Sequence, residues 1–133
     1  MIASLRFLSL ALLALTFAMS TQAVAKDVPY VAAFAPLNSN AQPYSGNMKL
    51  NFNHGTISGT YTDTSLKPGG PLYNRRNVPV SGGVNSSGHA TLLIGPLSFH
   101  GTLSGQWFSG TATVKGRIYT FKARQGSPGN PVP

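Results

Sequence analysis

The sequence predicts an all-β protein, a single antiparallel meander of about seven strands that forms a small barrel or sandwich. The chain contains 15 glycines and 10 prolines, and all of them follow residue 25. Turn-forming residues at that frequency are incompatible with helices of ordinary length. Between them lie short runs in which apolar and polar residues alternate, as in strands that bury one face. Frequent turns between short strands are typical of sandwiches and barrels.

The first 25 residues have the organisation of a secretory signal peptide. Arg6 lies in a short basic lead, residues 7–17 are an apolar run, and Ala23-Val24-Ala25 is a small-x-small cleavage site. The apolar run is much shorter than the roughly 20 residues that span a bilayer. We therefore expect removal of residues 1–25, a periplasmic or secreted location and no transmembrane segment.

The rest of the chain divides into three predicted segments. Residues 26–46 are a flexible N-terminal arm, with one candidate strand at 28–34 followed by a turn-rich stretch. Residues 47–124 are the β domain, and residues 125–133 are a disordered tail. We expect only one domain because too few residues follow the leader to build two cores.

The β domain begins with the clearest alternation in the chain. Met48, Leu50 and Phe52 alternate with polar residues, which predicts a strand with one buried face. Asn53-His54-Gly55 then predicts a tight turn, because histidine next to glycine tolerates the left-handed conformation that such turns require. A second alternating run after the turn completes a hairpin.

A long connection separates this hairpin from the rest of the domain. Residues 63–77 form a loop of the kind that often carries binding residues. Pro79 lies inside the strand that follows, which indicates an edge strand or a strand that begins at a bulge. Lys115-Gly116 predicts the last tight turn. The predicted strands of the domain are 47–53, 56–62, 78–84, 89–94, one that begins at Leu97, 108–114 and 117–124.

One segment of the domain occurs twice. Residues 54–61 recur in similar form at 100–107, and both copies begin with His-Gly-Thr. This repeat predicts that both copies form the same hairpin element. A metal site formed by His54 and His100 is an alternative that we do not adopt, because no carboxylate lies at ligand spacing from either.

The apolar faces of these strands define a predicted core. On the last strand, Tyr119 and Phe121 share a face with Arg117, whereas Lys122 and Arg124 take the opposite face. The two aromatic residues are therefore assigned to the core rather than to a binding surface. The predicted core consists of Leu50, Phe52, Ile57, Tyr61, Leu93, Phe99, Leu103, Trp107, Tyr119 and Phe121.

The chain is strongly basic. Ten lysines and arginines are balanced by two acidic residues, which gives a net charge of +8 at pH 7. Such a charge attracts polyanions, although it also keeps a small glycine-rich β-protein in solution. We expect the ligand-binding residues to be basic side chains of the long loop and of the last hairpin, which has Lys115 at its turn. The candidates are Arg75, Arg76, Arg117, Lys122 and Arg124.

The sequence argues against an enzyme. Asp63 is the only acidic residue in the predicted β domain, and glycoside hydrolysis normally uses two carboxylates. The chain has no nucleophile elbow, and without cysteine it has neither thiolate metal ligands nor disulfides. We therefore expect no catalytic residues, no metal and no cofactor.

Two resemblances add to this picture. Residues 55–61, Gly-Thr-Ile-Ser-Gly-Thr-Tyr, resemble a strand of the avidin-like small barrels. Those barrels line their biotin pocket with several tryptophans and a buried aspartate, whereas this chain has Trp107 alone, so biotin binding is not implied. The whole chain resembles small exported β-proteins of Gram-negative, Burkholderia-type bacteria, which implies a periplasmic or secreted location and no particular function.

Two functions are compatible with these observations. The first is noncatalytic binding of an anionic envelope or host-surface ligand, such as an acidic glycan, a lipopolysaccharide or another polyanion. The second is a structural or interaction protein that pairs with a protein partner through an edge strand such as 78–84, in an oligomer or an envelope complex. Polyanion binding weakens steeply as salt rises and strand pairing does not, so salt dependence separates the two.

Overall fold

The computed structural model describes residues 26–127. Within them, eight antiparallel strands follow one another in chain order and close into a barrel. This confirms the predicted all-β meander and its barrel form. The same part of the chain contains no apolar helix of membrane-spanning length. The strands are β1 (Val28–Pro36), β2 (Tyr44–Asn53), β3 (Thr56–Asp63), β4 (Val78–Val84), β5 (His89–Ile94), β6 (Leu97–Ser104), β7 (Trp107–Val114) and β8 (Arg117–Gln125).

β1 closes the barrel, because it pairs with β2 on one side and with β8 on the other. Phe34 lies opposite Tyr44 of β2 and opposite Phe121 of β8. Tyr30 and Phe34 both belong to the core. β1 contains the candidate strand predicted at 28–34, but the structure differs from the predicted flexible arm over residues 26–46. Two ladders of backbone hydrogen bonds and the burial of two aromatic side chains hold this segment in the barrel wall.

The end of β8 is also better ordered than predicted. The backbone N–H of Gln125 donates to the carbonyl of Gln106 at 2.8 Å, and that of Gly126 donates to the carbonyl of Pro29 at 2.9 Å. The first residues of the predicted tail, 125–133, are therefore tied to the barrel. Residues 128–133 and the predicted signal peptide lie outside the described residues.

The interior of the barrel is filled with side chains. The ring centroids of Phe99 and Phe121 lie 4.9 Å apart, and those of Tyr30 and Phe108 lie 5.3 Å apart. Leu72, from the connection between β3 and β4, is fully buried against the same core. Eight-stranded barrels are just wide enough for side chains to fill them. Candidate sites therefore lie on the outside of the barrel.

Most of the predicted core is confirmed, and two of its members are wrong. Leu93 is 54% exposed and Trp107 is 38% exposed, while their neighbours Leu92 and Phe108 are fully buried. The apolar run in β5 is continuous, so the sequence does not show which of its leucines faces inward. The predicted core residues that are buried are Leu50, Ile57, Tyr61, Phe99, Tyr119 and Phe121, and the half-buried ones are Phe52 and Leu103.

β4 is not an edge strand. It pairs with β3 on one side and with β5 on the other, and the closed barrel formed by the described residues has no free edge. Pro79 is accommodated because the register with β5 begins one residue later, at Val80. Its missing N–H therefore interrupts no ladder on that side, and the proline indicates the end of a strand pair rather than the edge of a sheet.

The two predicted tight turns are confirmed. His54 and Gly55 have φ angles of 50° and 81°, and Lys115 and Gly116 have φ angles of 48° and 79°. Both residues of each turn are thus left-handed, as in the hairpin turns that match the twist of a β-sheet.

The repeated segment does not form the same element twice. His54 lies in the turn before β3, whereas His100 lies inside β6, opposite Thr91 and Thr111. Residues 54–61 therefore begin in the β2–β3 turn, whereas residues 100–107 begin inside β6 and continue through the β6–β7 turn. A His-Gly pair is compatible with either conformation, and the pairing register decides between them.

The connections between strands lie at two ends of the barrel. Consecutive antiparallel strands run in opposite directions, so every second connection lies at the same end. We call the end with the connections 37–43, 64–77, 95–96 and 115–116 the loop end. The opposite end, with the connections 54–55, 85–88 and 105–106, is the turn end.

Candidate functional site

An open cleft of about 420 Å³ lies at the loop end of the barrel. Three separate connections meet there, because the β3–β4, β5–β6 and β7–β8 connections all lie at this end. We call it the loop-end cleft. Its lining residues are Gly69, Pro71, Arg75, Pro96, Val114, Lys115, Arg117 and Tyr119.

Arg75 is held in place by the buried part of its loop. Its backbone N–H donates to the carbonyl of Leu72 at 3.1 Å, and its own carbonyl accepts from the N–H of Asp63 at 2.9 Å. Leu72 inserts into the core, and Asp63 is the last residue of β3. The loop is therefore anchored to the barrel on both sides of Arg75.

The carboxylate of Asp63 stabilises the same loop. One oxygen accepts from the hydroxyl of Ser65 at 2.7 Å, and the other accepts from the backbone N–H of Asn74 at 2.8 Å. Hydrogen bonds to a carboxylate are stronger than those between neutral groups. The only acidic residue of the β3–β4 region is thus used to shape the loop, and it does not line the cleft.

The opposite wall of the cleft is the β7–β8 hairpin. Lys115 lies in the tight turn, where its left-handed backbone directs the chain back toward the barrel. Arg117 is exposed, and its guanidinium carbon lies 5.9 Å from the ring centroid of Tyr119. Tyr119 itself is 7% exposed. A nearly buried ring next to a guanidinium restricts the positions that the cation can take.

The charged residues that line the cleft are all basic. Arg75, Lys115 and Arg117 line it, and none of its described lining residues is acidic. Pro71 and Pro96 contribute rigid apolar surface between the cations. Such an arrangement suits an anionic group, since guanidinium offers paired donors to phosphate, sulfate or carboxylate oxygens.

The predicted binding residues fall into two groups. Arg75 and Arg117 line the loop-end cleft together, whereas Arg76 is exposed and does not line it. Lys122 and Arg124 lie on the outer face of β8, where they are opposite Ser109 and Trp107 of β7. The structure therefore brings two of the five together at the cleft and places two others on the barrel wall.

Sequence reasoning missed Gly69, Pro71 and Pro96 and assigned Tyr119 to the core alone. A signal for these residues was present. In a meander, alternate connections share an end, so the Pro-Gly-Gly-Pro run of the long loop, the Gly-Pro turn and the Lys-Gly turn are expected to meet.

The histidines weighed as a metal site occupy different elements. His54 is in the β2–β3 turn, and His100 is on β6 with its Nε2 3.3 Å from the hydroxyl of Ser98. Across residues 26–127, no group of three or more histidine, cysteine or acidic side chains is arranged to hold a metal ion.

The fold and the cleft define this protein as a small up-and-down β-barrel with a packed interior and a cationic end. Comparison of the chain with protein-family models, with curated proteins and with solved structures finds no match. The resemblance to exported β-proteins of Gram-negative bacteria stays a prediction.

Proposed function

We propose that this barrel is a noncatalytic binding module, exported from the cell, for an anionic ligand of the envelope or of a host surface. The loop-end cleft receives an anionic group of that ligand. One observation carries the proposal: Arg75 of the β3–β4 connection and Lys115 and Arg117 of the β7–β8 hairpin line one cleft that has no acidic residue among its described lining.

The energetics of the cleft support an anion rather than a neutral ligand. Cations that share a cleft repel one another, and an anion between them replaces that repulsion by attraction. Pro71, Pro96 and Val114 add apolar surface to the cleft, which a hydrocarbon part of the ligand can contact. A phosphate, sulfate or carboxylate group meets these conditions.

The cleft is also largely pre-formed. Leu72 and the Asp63 carboxylate fix the β3–β4 loop, and the β7–β8 wall is a tight hairpin of the barrel. A site whose backbone is already ordered loses less entropy on binding. The same architecture supports binding over edge-strand pairing, because the closed barrel offers a partner no free strand among the described residues.

The proposal is tested with two charge-reversal variants that change the net charge equally. Arg75→Glu/Arg117→Glu alters the cleft, whereas Lys26→Glu/Lys49→Glu alters residues away from it. Residues 26–133 are applied to immobilised heparin and to lipopolysaccharide at low salt and eluted with a salt gradient. We expect the cleft variant to elute at much lower salt than the control. Equal loss in both variants, or no retention of the unaltered protein, would refute the proposal.

A further inference from the structure

The outer wall at the turn end of the barrel carries the only tryptophan of the chain. Trp107 is the first residue of β7 and is 38% exposed. Val114, at the other end of β7, lines the loop-end cleft. Strands rise about 3.3 Å per residue, so the indole lies roughly 23 Å from that cleft. Trp107 is therefore too distant to contact a small ligand held there.

Trp107 has cationic neighbours on β8. Arg124 lies directly opposite it, and the guanidinium carbon is 5.9 Å from the indole centroid. Lys122 lies opposite Ser109, the next outward residue of β7. Because residues two apart in a strand face the same side, these four side chains form one surface, which we call the tryptophan patch.

The tryptophan patch borders two apolar residues of β1. Val31 lies opposite Arg124, and Ala33 lies opposite Lys122. These two residues alternate with the core residues of β1, yet they are only 4% and 6% exposed. Val31 and Ala33 are therefore almost fully covered, and the exposed part of the tryptophan patch lies on β7 and β8. No acidic residue occurs in β1, β7 or β8.

We propose that the tryptophan patch is a second binding surface, for an acidic glycan such as a sulfated or uronate-containing chain. A sugar ring stacks on the exposed indole, and its sulfate or carboxylate groups contact Lys122 and Arg124. Tryptophan and arginine are the residues most enriched at the energetic centres of interfaces. Ser109 and Thr111 lie on the same outer wall and supply hydroxyls for the sugar.

A glycan fits this wall better than a single-stranded nucleic acid. Surfaces for single strands stack successive bases on several aromatic side chains. The outward residues of β7 that follow Trp107 are Ser109, Thr111 and Thr113. The wall therefore offers one stacking position surrounded by hydroxyl groups.

The lone tryptophan makes the test selective, because its fluorescence reports the patch and not the cleft. Residues 26–133 carrying Arg75→Glu/Arg117→Glu are titrated at low salt with a size-defined heparin oligosaccharide, with neutral dextran and with oligothymidylate. We expect a saturable change in emission with the heparin oligosaccharide and none with dextran. The cleft substitutions remove anion binding at the loop-end cleft, so this measurement reports the tryptophan patch alone. Failure of this proposal can therefore be distinguished from failure of the proposed function.

Three further variants in the same background complete the test, with binding measured by calorimetry. Lys122→Ala is expected to weaken heparin binding about tenfold, as loss of one charge-assisted contact does. Trp107→Ser is expected to weaken heparin binding to a comparable extent. Ile118→Ser is the control, because Ile118 lies on the outer face of β8 at the loop end, and this variant is expected to leave heparin binding unchanged. The proposal would be overturned if the emission stays unaltered when the heparin oligosaccharide saturates the protein. It would also be overturned if Trp107→Ser binds heparin as tightly as the background that keeps Trp107, or if oligothymidylate binds more tightly than heparin.

Discussion

Gly101 of β6 and Gly110 of β7 lie directly opposite each other in the barrel wall, and neither position has room for a Cβ atom. A Cβ atom on Gly101 would lie 2.8 Å from the Cα atom of Gly110, and one on Gly110 would collide with the carbonyl of His100. The two strands can approach this closely only because both residues lack a side chain.

Alanine at either glycine should therefore destabilise the barrel. We expect Gly101→Ala or Gly110→Ala to lower the free energy of unfolding by about 1–3 kcal/mol, since backbone must move to admit the methyl group. Gly105→Ala is the control: its φ of 59° disfavours alanine, but no atom lies within 4 Å of the added Cβ. Urea unfolding compares them. A smaller loss at both paired glycines than at Gly105 would contradict the close approach.

The aromatic core should dominate stability. Phe99 is fully buried, and its ring lies 4.9 Å from that of Phe121. Replacing either phenylalanine by alanine should cost about 3–5 kcal/mol. Leu93→Ala, on the exposed side of β5, should change stability by no more than about 0.5 kcal/mol. Thermal unfolding of the three variants tests this assignment, which is wrong if Leu93→Ala is as damaging as Phe99→Ala.

Tyr61 has a buried hydroxyl that finds no hydrogen-bond partner among the described residues. The side chain is fully buried and its ring packs against Gly46. An unsatisfied buried hydroxyl costs about 1–3 kcal/mol, so Tyr61→Phe should leave stability unchanged or raise it by about 1 kcal/mol. Tyr73→Phe, at an exposed position, is the matched control. A clear loss of stability in Tyr61→Phe alone would show that the hydroxyl has a partner.

Stability should fall in alkaline solution. Burial raises the pKa of Tyr61, with a further contribution from the charge of Asp63, and burial also raises the pKa of Tyr30. The folded state thus holds these protons more tightly than the unfolded state does. The stabilisation is fully present below the ordinary tyrosine pKa of about 10 and is lost as pH rises above it. Unfolding free energies measured between about pH 8 and 11 should decline.

The decline should be smaller in Tyr61→Phe, which removes the more strongly affected group. The exposed Tyr73→Phe serves again as the reference. If both variants and the unaltered protein lose stability in parallel, Tyr61 does not titrate differently in the folded state.

The sequence predicted those parts of the fold where local pattern decides the outcome. Clean alternation located the buried faces of β2 and β8, and turn chemistry located the tight turns at His54 and Lys115. The sequence indicated a candidate strand at 28–34, but it did not show which face of β1 is buried, because its alanines and Val31 make both faces apolar. β1 pairs with β8, which places Tyr30 opposite Gln125. These residues are far apart in the sequence, so a local pattern of residues cannot predict their contact.

The candidate site was predicted in part for the same reason. Arg75 and Arg117 were selected by charge, and the alternation of the meander brings them to one cleft. Charge alone could not separate them from Lys122 and Arg124, which share a hairpin with Arg117 but face outward from the wall. Trp107 was assigned to the core by hydrophobicity, whereas the pairing register directs it outward.

Binding of anionic groups by the loop-end cleft can be measured residue by residue with amide chemical-shift mapping. Isotope-labelled protein covering residues 26–133 is titrated with a sulfated disaccharide at physiological ionic strength. We expect the largest shift changes at Gly69, Arg75, Lys115 and Arg117, and we expect Arg75→Glu/Arg117→Glu to abolish them. Shift changes spread evenly over all basic residues, or absent from the cleft, would contradict it.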